Sequence, residues 1–224
     1  MNFLAHLVLA DDTPASRLGN LLPDLHRGRL PDGLHPEVAA GVRRHRRVDA
    51  YTDRHPAFER SRRRLRPDQG RYAGVIADVL YDHTLCLRWS DYVAMPRRTF
   101  IDSCYAAMRG RLDLVPPRAG AIVRAAAAED WLGHYDTVDG IRHTLRRLSA
   151  RLRERFGREV DLAAAADVLQ RDLDGFLADF DVFFPDLIAH LGLGDAFSVP
   201  APAPGNGAPG SAAAAIGRST DPDA

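Results

Sequence analysis

Two stretches put ionisable side chains where helical periodicity expects apolar ones: "HRRVDAYTD" at residues 45–53 and "DVLYDH" at residues 78–83. In the first, an inward stripe begins with Val38 and Val42 and continues at helical spacing as His45, Asp49 and Thr52. In the second, an almost wholly apolar run carries Asp78, Asp82 and His83. Asp78 and Asp82 stand four residues apart, where like charges repel by roughly 0.2–0.5 kcal/mol even on an exposed helix. A buried, unpaired carboxylate costs far more. Something cationic is therefore expected beside them.

Two kinds of cation fit. One is arginine: every one of the 30 basic residues is Arg, and carboxylates on helices commonly pair with guanidinium. The other is a divalent metal ion, which needs oxygens and imidazoles converging from different helices, with room left for water. His45, Asp49, Asp78, Asp82 and His83 supply mixed nitrogen and oxygen donors from two helices, and Asp24 adds a carboxylate at the end of "GNLLPD". His6 reads as a core histidine with its hydrogen bonds satisfied. His134 and His143 flank Gly140 without an assigned role. Other chemistries fit worse. There is no Gly-rich phosphate loop, no G-x-S-x-G, no H-E-x-x-H and no C-x-x-C, and Cys86 sits in an apolar run with nothing to make it a thiolate.

Helices must position these groups. Strand signals are nearly absent and 3.6-residue periodicity recurs throughout. The pattern predicts helices over about 2–10, 16–22 (ended by Pro23), 36–54, 56–66, 72–89, 96–111, 117–133, 137–156 and 161–180, with a short turn over 185–191. The expectation is an all-α, compact single domain over 1–195 and a disordered tail over 196–224. From Ser198 that tail is Pro-, Gly- and Ala-rich and cannot bury enough surface to order itself.

Formal net charge is zero, so no global field draws in a partner. Two cysteines in 224 residues make no disulfide framework. The apolar start lacks a basic n-region, and the longest apolar stretch carries Asp78, Asp82, His83 and Arg88. The expectation is a cytoplasmic protein with no membrane span.

Five blocks, "MNFLAHLVLA", "GNLLPDLHRG", "RRHRRVDAYTD", "DVLYDH" and "WLGHYDTVDGIRHTLRRLSAR", together resemble the acyl carrier protein phosphodiesterase family, in order and over roughly residues 1–191. The resemblance implies a helical fold that diverges from the HD-domain metal phosphohydrolases. It implies a divalent cofactor, Mn2+ by preference with Mg2+ possible. The implied reaction is hydrolysis of the phosphodiester between 4′-phosphopantetheine and a serine of holo-acyl carrier protein. Matching positions are Asp24, His45, Arg46, Arg47, Asp49, Asp53, Asp78, Asp82 and His83. On this reading Asp24, His45, Asp49, Asp78 and Asp82 hold the metal, Arg46 and Arg47 neutralise phosphate charge, and His83 passes a proton. One departure is visible: the HD signature is His-Asp, whereas this chain has Asp82-His83.

Two other readings compete. One is a helical metal phosphohydrolase acting on a nucleotide or other small phosphoester. The other is a nucleic-acid-binding module using the run from Arg43 to Arg71, which holds eleven arginines against Asp49, Asp53, Glu59 and Asp68. Few aromatics interleave that run for base stacking, so no nucleic-acid partner is expected. An acidic carrier protein suits the same patch, with Arg60, Arg62, Arg63, Arg64 and Arg66 as its docking face.

Overall fold

The computed structural model describes residues 1–157 and 159–197; the Pro/Gly/Ala-rich tail expected from Ser198 lies outside them. The described residues form helices and turns, with no strand among them. The chain runs through α1 (Phe3–Val8), α2 (Pro14–Leu25), α3 (Pro36–Thr52), α4 (Pro56–Gln69), α5 (Ala73–Leu87) and α6 (Trp89–Tyr92). It continues through α7 (Arg97–Arg109), α8 (Pro117–Ala128), α9 (Val138–Phe156), α10 (Ala165–Arg171) and α11 (Leu173–Leu191). One contiguous core links buried side chains from Met1 to Ile188. Among the described residues no helix is long and apolar enough to cross a membrane.

Two prolines behave differently from the sequence expectation. Pro23 does not end its helix: α2 continues to Leu25, which keeps Asp24 in its last turn. Likewise the stretch expected as one helix over 161–180 is two, and α11 passes through Pro185 to Leu191. A helix-interior proline costs ~3 kcal/mol. Around Pro185 that cost is outweighed by Phe176, Phe180, Phe183, Phe184, Leu187 and Ile188, all fully buried, each contributing about 1.5–3 kcal/mol.

The pair that positions the site is α2 against α3. A Cβ on Gly19 would lie 2.3 Å from the Val38 carbonyl oxygen, and one on Gly41 would lie 2.6 Å from that of Ser16. The two backbones touch at glycines because nothing larger fits. This approach lets the Asn20 carbonyl on α2 reach the His45 ring on α3. Gly41→Ala is expected to lower stability by about 2–3 kcal/mol, since both opposing atoms are backbone and cannot step aside. A denaturant midpoint unchanged from wild type would show that the helices separate at no cost.

The arginines of α4 are engaged within the chain as well as exposed. Arg60, Ser61 and Arg64 all donate to Asp179 on α11, a carboxylate only 2% exposed. Arg64 also reaches Asp172. Arg62, Arg63 and Arg66 share Glu59. Two of the five arginines thus anchor α4 to the C-terminal helices, because a buried carboxylate demands charged donors.

Candidate functional site

The inward polar stripe of α3 meets α1 and α2 at one place. His45 is buried, and its Nδ1 lies 2.7 Å from the Asn20 carbonyl oxygen. A carbonyl only accepts, so the proton sits on Nδ1 and Nε2 is turned to Asp49 Oδ2, 2.9 Å away. His6 of α1 stacks on His45 with ring centroids 4.1 Å apart. Its Nε2 is 3.2 Å from Asp49 Oδ1, yet neither of its ring nitrogens makes an aligned hydrogen bond. One ligand atom from each of His6, His45 and Asp49 falls within 4.8 Å of the others.

Two more carboxylates border this triad. Asp24 Oδ1 lies 3.9 Å from His45 Nε2. Asp78 on α5 lies 2.8 Å from the amino group of Met1, which is also 3.4 Å from Asp49. Asp49 and Asp24 keep 40% and 37% of their side-chain surface accessible, so the cluster opens to solvent on that side.

The charges explain one another. Burial pushes His6 down, to about 4, with Asp49 opposing and His45 adding to the fall. Burial also lowers His45, but Asp49 and Asp24 outweigh it and leave its pKa raised. Burial would raise Asp49, whereas His45 and His6 hold it below the usual carboxylate range. Asp24 is pushed up to about 6 by its desolvated setting and by Asp49, against the pull of His45. Burial raises Asp78 as well, against the Met1 amino group.

The donor set fits a divalent ion. A fully buried imidazole whose one polar contact is an unaligned approach to Asp49 is costly unless something else engages it. A ligating histidine ordinarily donates its other N–H to a carbonyl or carboxylate, as His45 does to Asn20. Two imidazoles beside a carboxylate suit a transition ion better than Mg2+, which prefers oxygen alone.

The structure therefore brings together Asp24, His45, Asp49 and Asp78, as the sequence suggests, and adds His6, which the sequence reading placed among ordinary core histidines. The remaining expected site residues stand elsewhere. Asp82 is fully buried with its oxygens 2.8 and 3.0 Å from the backbone nitrogens of Leu4 and Ala5. It caps α1, which has no side-chain cap of its own. His83 Nδ1 lies 2.8 Å from the Tyr135 carbonyl oxygen, and its charged neighbour is Asp136 rather than the cluster. Arg47 donates to the His190 carbonyl at the far end of α11, and Arg46 is exposed without an acidic partner among the described residues.

Comparison with known proteins gives a consistent result. A family model described as acyl carrier protein phosphodiesterase matches residues 1–187. A protein of that name from Pectobacterium atrosepticum is 34% identical over 185 residues, covering 82% of this chain and 92% of its own. Those from Shigella boydii serotype 18 and Escherichia coli strain K12 are 37% and 36% identical over 154 residues, each covering 67% of this chain and 79% of the relative. No solved structure matches.

Proposed function

Because the chain belongs to the acyl carrier protein phosphodiesterase family, we propose that it is a metal-dependent hydrolase of holo-acyl carrier protein. It cleaves the phosphodiester that joins 4′-phosphopantetheine to serine, giving apo-acyl carrier protein and 4′-phosphopantetheine. The observation that carries the metal dependence is the pair of stacked, buried imidazoles of His6 and His45 around Asp49, with His6 making no aligned hydrogen bond.

His6, His45 and Asp49 would hold the ion, with Asp24 and Asp78 adjacent. When bound, a divalent ion supplies Lewis acidity, which polarises the phosphodiester and makes water acidic enough to attack near neutral pH. The chain does the rest. Neutral His6, with its pKa near 4, offers a lone pair at physiological pH. The Asn20 carbonyl fixes the His45 ring so that Nε2 faces inward. Asp24, raised to about 6 and partly accessible, stands where it can hold a proton for the departing serine oxygen near neutral pH. This moves the proton-transfer role from His83 to Asp24.

Incubation of the protein and Mn2+ with holo-acyl carrier protein, read by intact mass, is expected to show loss of the phosphopantetheine mass, and EDTA is expected to stop it. An unchanged carrier mass, with hydrolysis of a nucleotide or another small phosphoester instead, would replace this reading with that of a general phosphohydrolase.

A further inference from the structure

Asp24 belongs to two places at once. It faces His45 in the cluster, and it also lines a cleft of about 430 Å3 formed by the end of α2, the first turns of α8 and the middle of α9. That size lies within the roughly 300–1,000 Å3 of small-molecule sites. Three arginines line the cleft: Arg27 just after α2, Arg118 on α8 and Arg151 on α9. Some arginines of this chain pair with acids, as Arg88 does with Asp181, Arg97 with Asp136 and Arg142 with Asp167, and others, such as Arg46, do not. None of these three has a carboxylate partner among the described residues, and Arg151 instead lies over the Trp131 ring at 5.3 Å. Three unneutralised guanidinium groups beside a metal-type cluster create a strong preference for an anion, and guanidinium meets phosphate with paired donors.

The cleft does not end there. Leu148 and Arg151 also line a second, narrow and mostly apolar groove, walled by Phe3, Val75, Val79 and Trp131. The two spaces thus share side chains on one turn of α9, and the second is small, about 80 Å3. A ligand that fills both carries a phosphate at one end and a slim, largely uncharged arm at the other.

We propose that the arginine-lined cleft seats the 4′-phosphopantetheine group, with Arg27, Arg118 and Arg151 receiving its phosphate beside Asp24 and the pantetheine arm leaving toward the adjoining groove at Val75, Val79 and Trp131. The inference rests on the functional reading above and extends it to how the prosthetic group is recognised. It also assigns the phosphate-neutralising arginines, since Arg47 is occupied at the end of α11.

The test measures two ligands by calorimetry on the manganese-loaded protein: free 4′-phosphopantetheine and pantetheine, which lacks the phosphate. The double variant Arg27→Gln, Arg118→Gln is expected to weaken 4′-phosphopantetheine binding about tenfold per arginine while leaving pantetheine within twofold. Val75→Arg places a charge at the rim of the apolar groove, at a position 40% exposed. It is expected to weaken both ligands about tenfold. An unfolded variant would lose both ligands in the arginine case, so selective loss of the phosphorylated one reports the cleft itself. Equal affinities of wild type and both variants for 4′-phosphopantetheine would overturn the proposal. A wild type that fails to act on holo-acyl carrier protein yet shows this selective pattern would sink the reaction and leave the subsite standing. Active wild type with unaltered variants would do the reverse.

Discussion

His45→Ala is expected to lower kcat on holo-acyl carrier protein by about a thousandfold and to leave the purified protein without stoichiometric manganese. The side chain is held at both ends, by the Asn20 carbonyl and by Asp49, so its loss removes a donor whose direction is fixed in advance. Its removal also takes one wall from the stacked pair and frees His6 to turn. Metal content after dialysis separates this from simple misfolding, as does partial rescue by added imidazole. The acid side of the wild-type pH profile provides a second check. His45, which Asp49 and Asp24 raise above its usual value, must lose a proton before a cation can bind. Metal affinity therefore rises as pH passes upward through the raised pKa of His45 and weakens below it. His45→Ala variants that keep a tenth of wild-type turnover, or that bind manganese as before, would move the site elsewhere.

How much of this could be seen in the sequence depends on the range of the interaction. The turn from apolar to polar along α3 is a local signal, because residues four apart share a face; His45 and Asp49 were legible for that reason. So was Asp78, on a helix apolar enough for one carboxylate to stand out. His6 carried no such signal. One histidine in a short apolar helix looks the same whether its nitrogens are satisfied or empty, and only the 4.1 Å approach of His45 distinguishes the cases. Gly19 and Gly41 were silent too, since each glycine is explained only by the backbone of the other helix. The arginines of α4 show half of their setting in the sequence. Density of charge along the chain suggested a free surface, but Asp179, more than a hundred residues later in sequence, takes two of them. Asp82 was the subtlest case. Its i, i+4 relation to Asp78 suggested a shared cation, whereas its partners are two backbone N–H groups from the start of the chain.

That reassignment gives the second large effect. Asp82→Ala is expected to destabilise the metal-free protein by about 2–4 kcal/mol, because it leaves the Leu4 and Ala5 amides buried without an acceptor. Helix α1 is six residues long and has no other cap, so it cannot absorb the loss locally. The effect has a pH signature. Burial raises Asp82 to about 7, with the two amides pulling the other way. A pKa above the unfolded value means a contribution that is full below about 4, the ordinary carboxylate value, and erodes as pH rises through about 7. The stability difference between wild type and Asp82→Ala should therefore be larger at pH 5 than at pH 8. Asp82→Asn keeps one carbonyl acceptor and cannot ionise, so it should recover part of the stability at both pH values. Activity should fall with α1, which carries His6 into the cluster, and should return in part when excess Mn2+ favours the assembled site. A metal ligand at this position would behave in another way: Asp82→Ala would lose manganese while the metal-free protein melted at or above the wild-type temperature. Chemical denaturation at the two pH values, with and without the ion, tells a strut beneath the site from a donor within it.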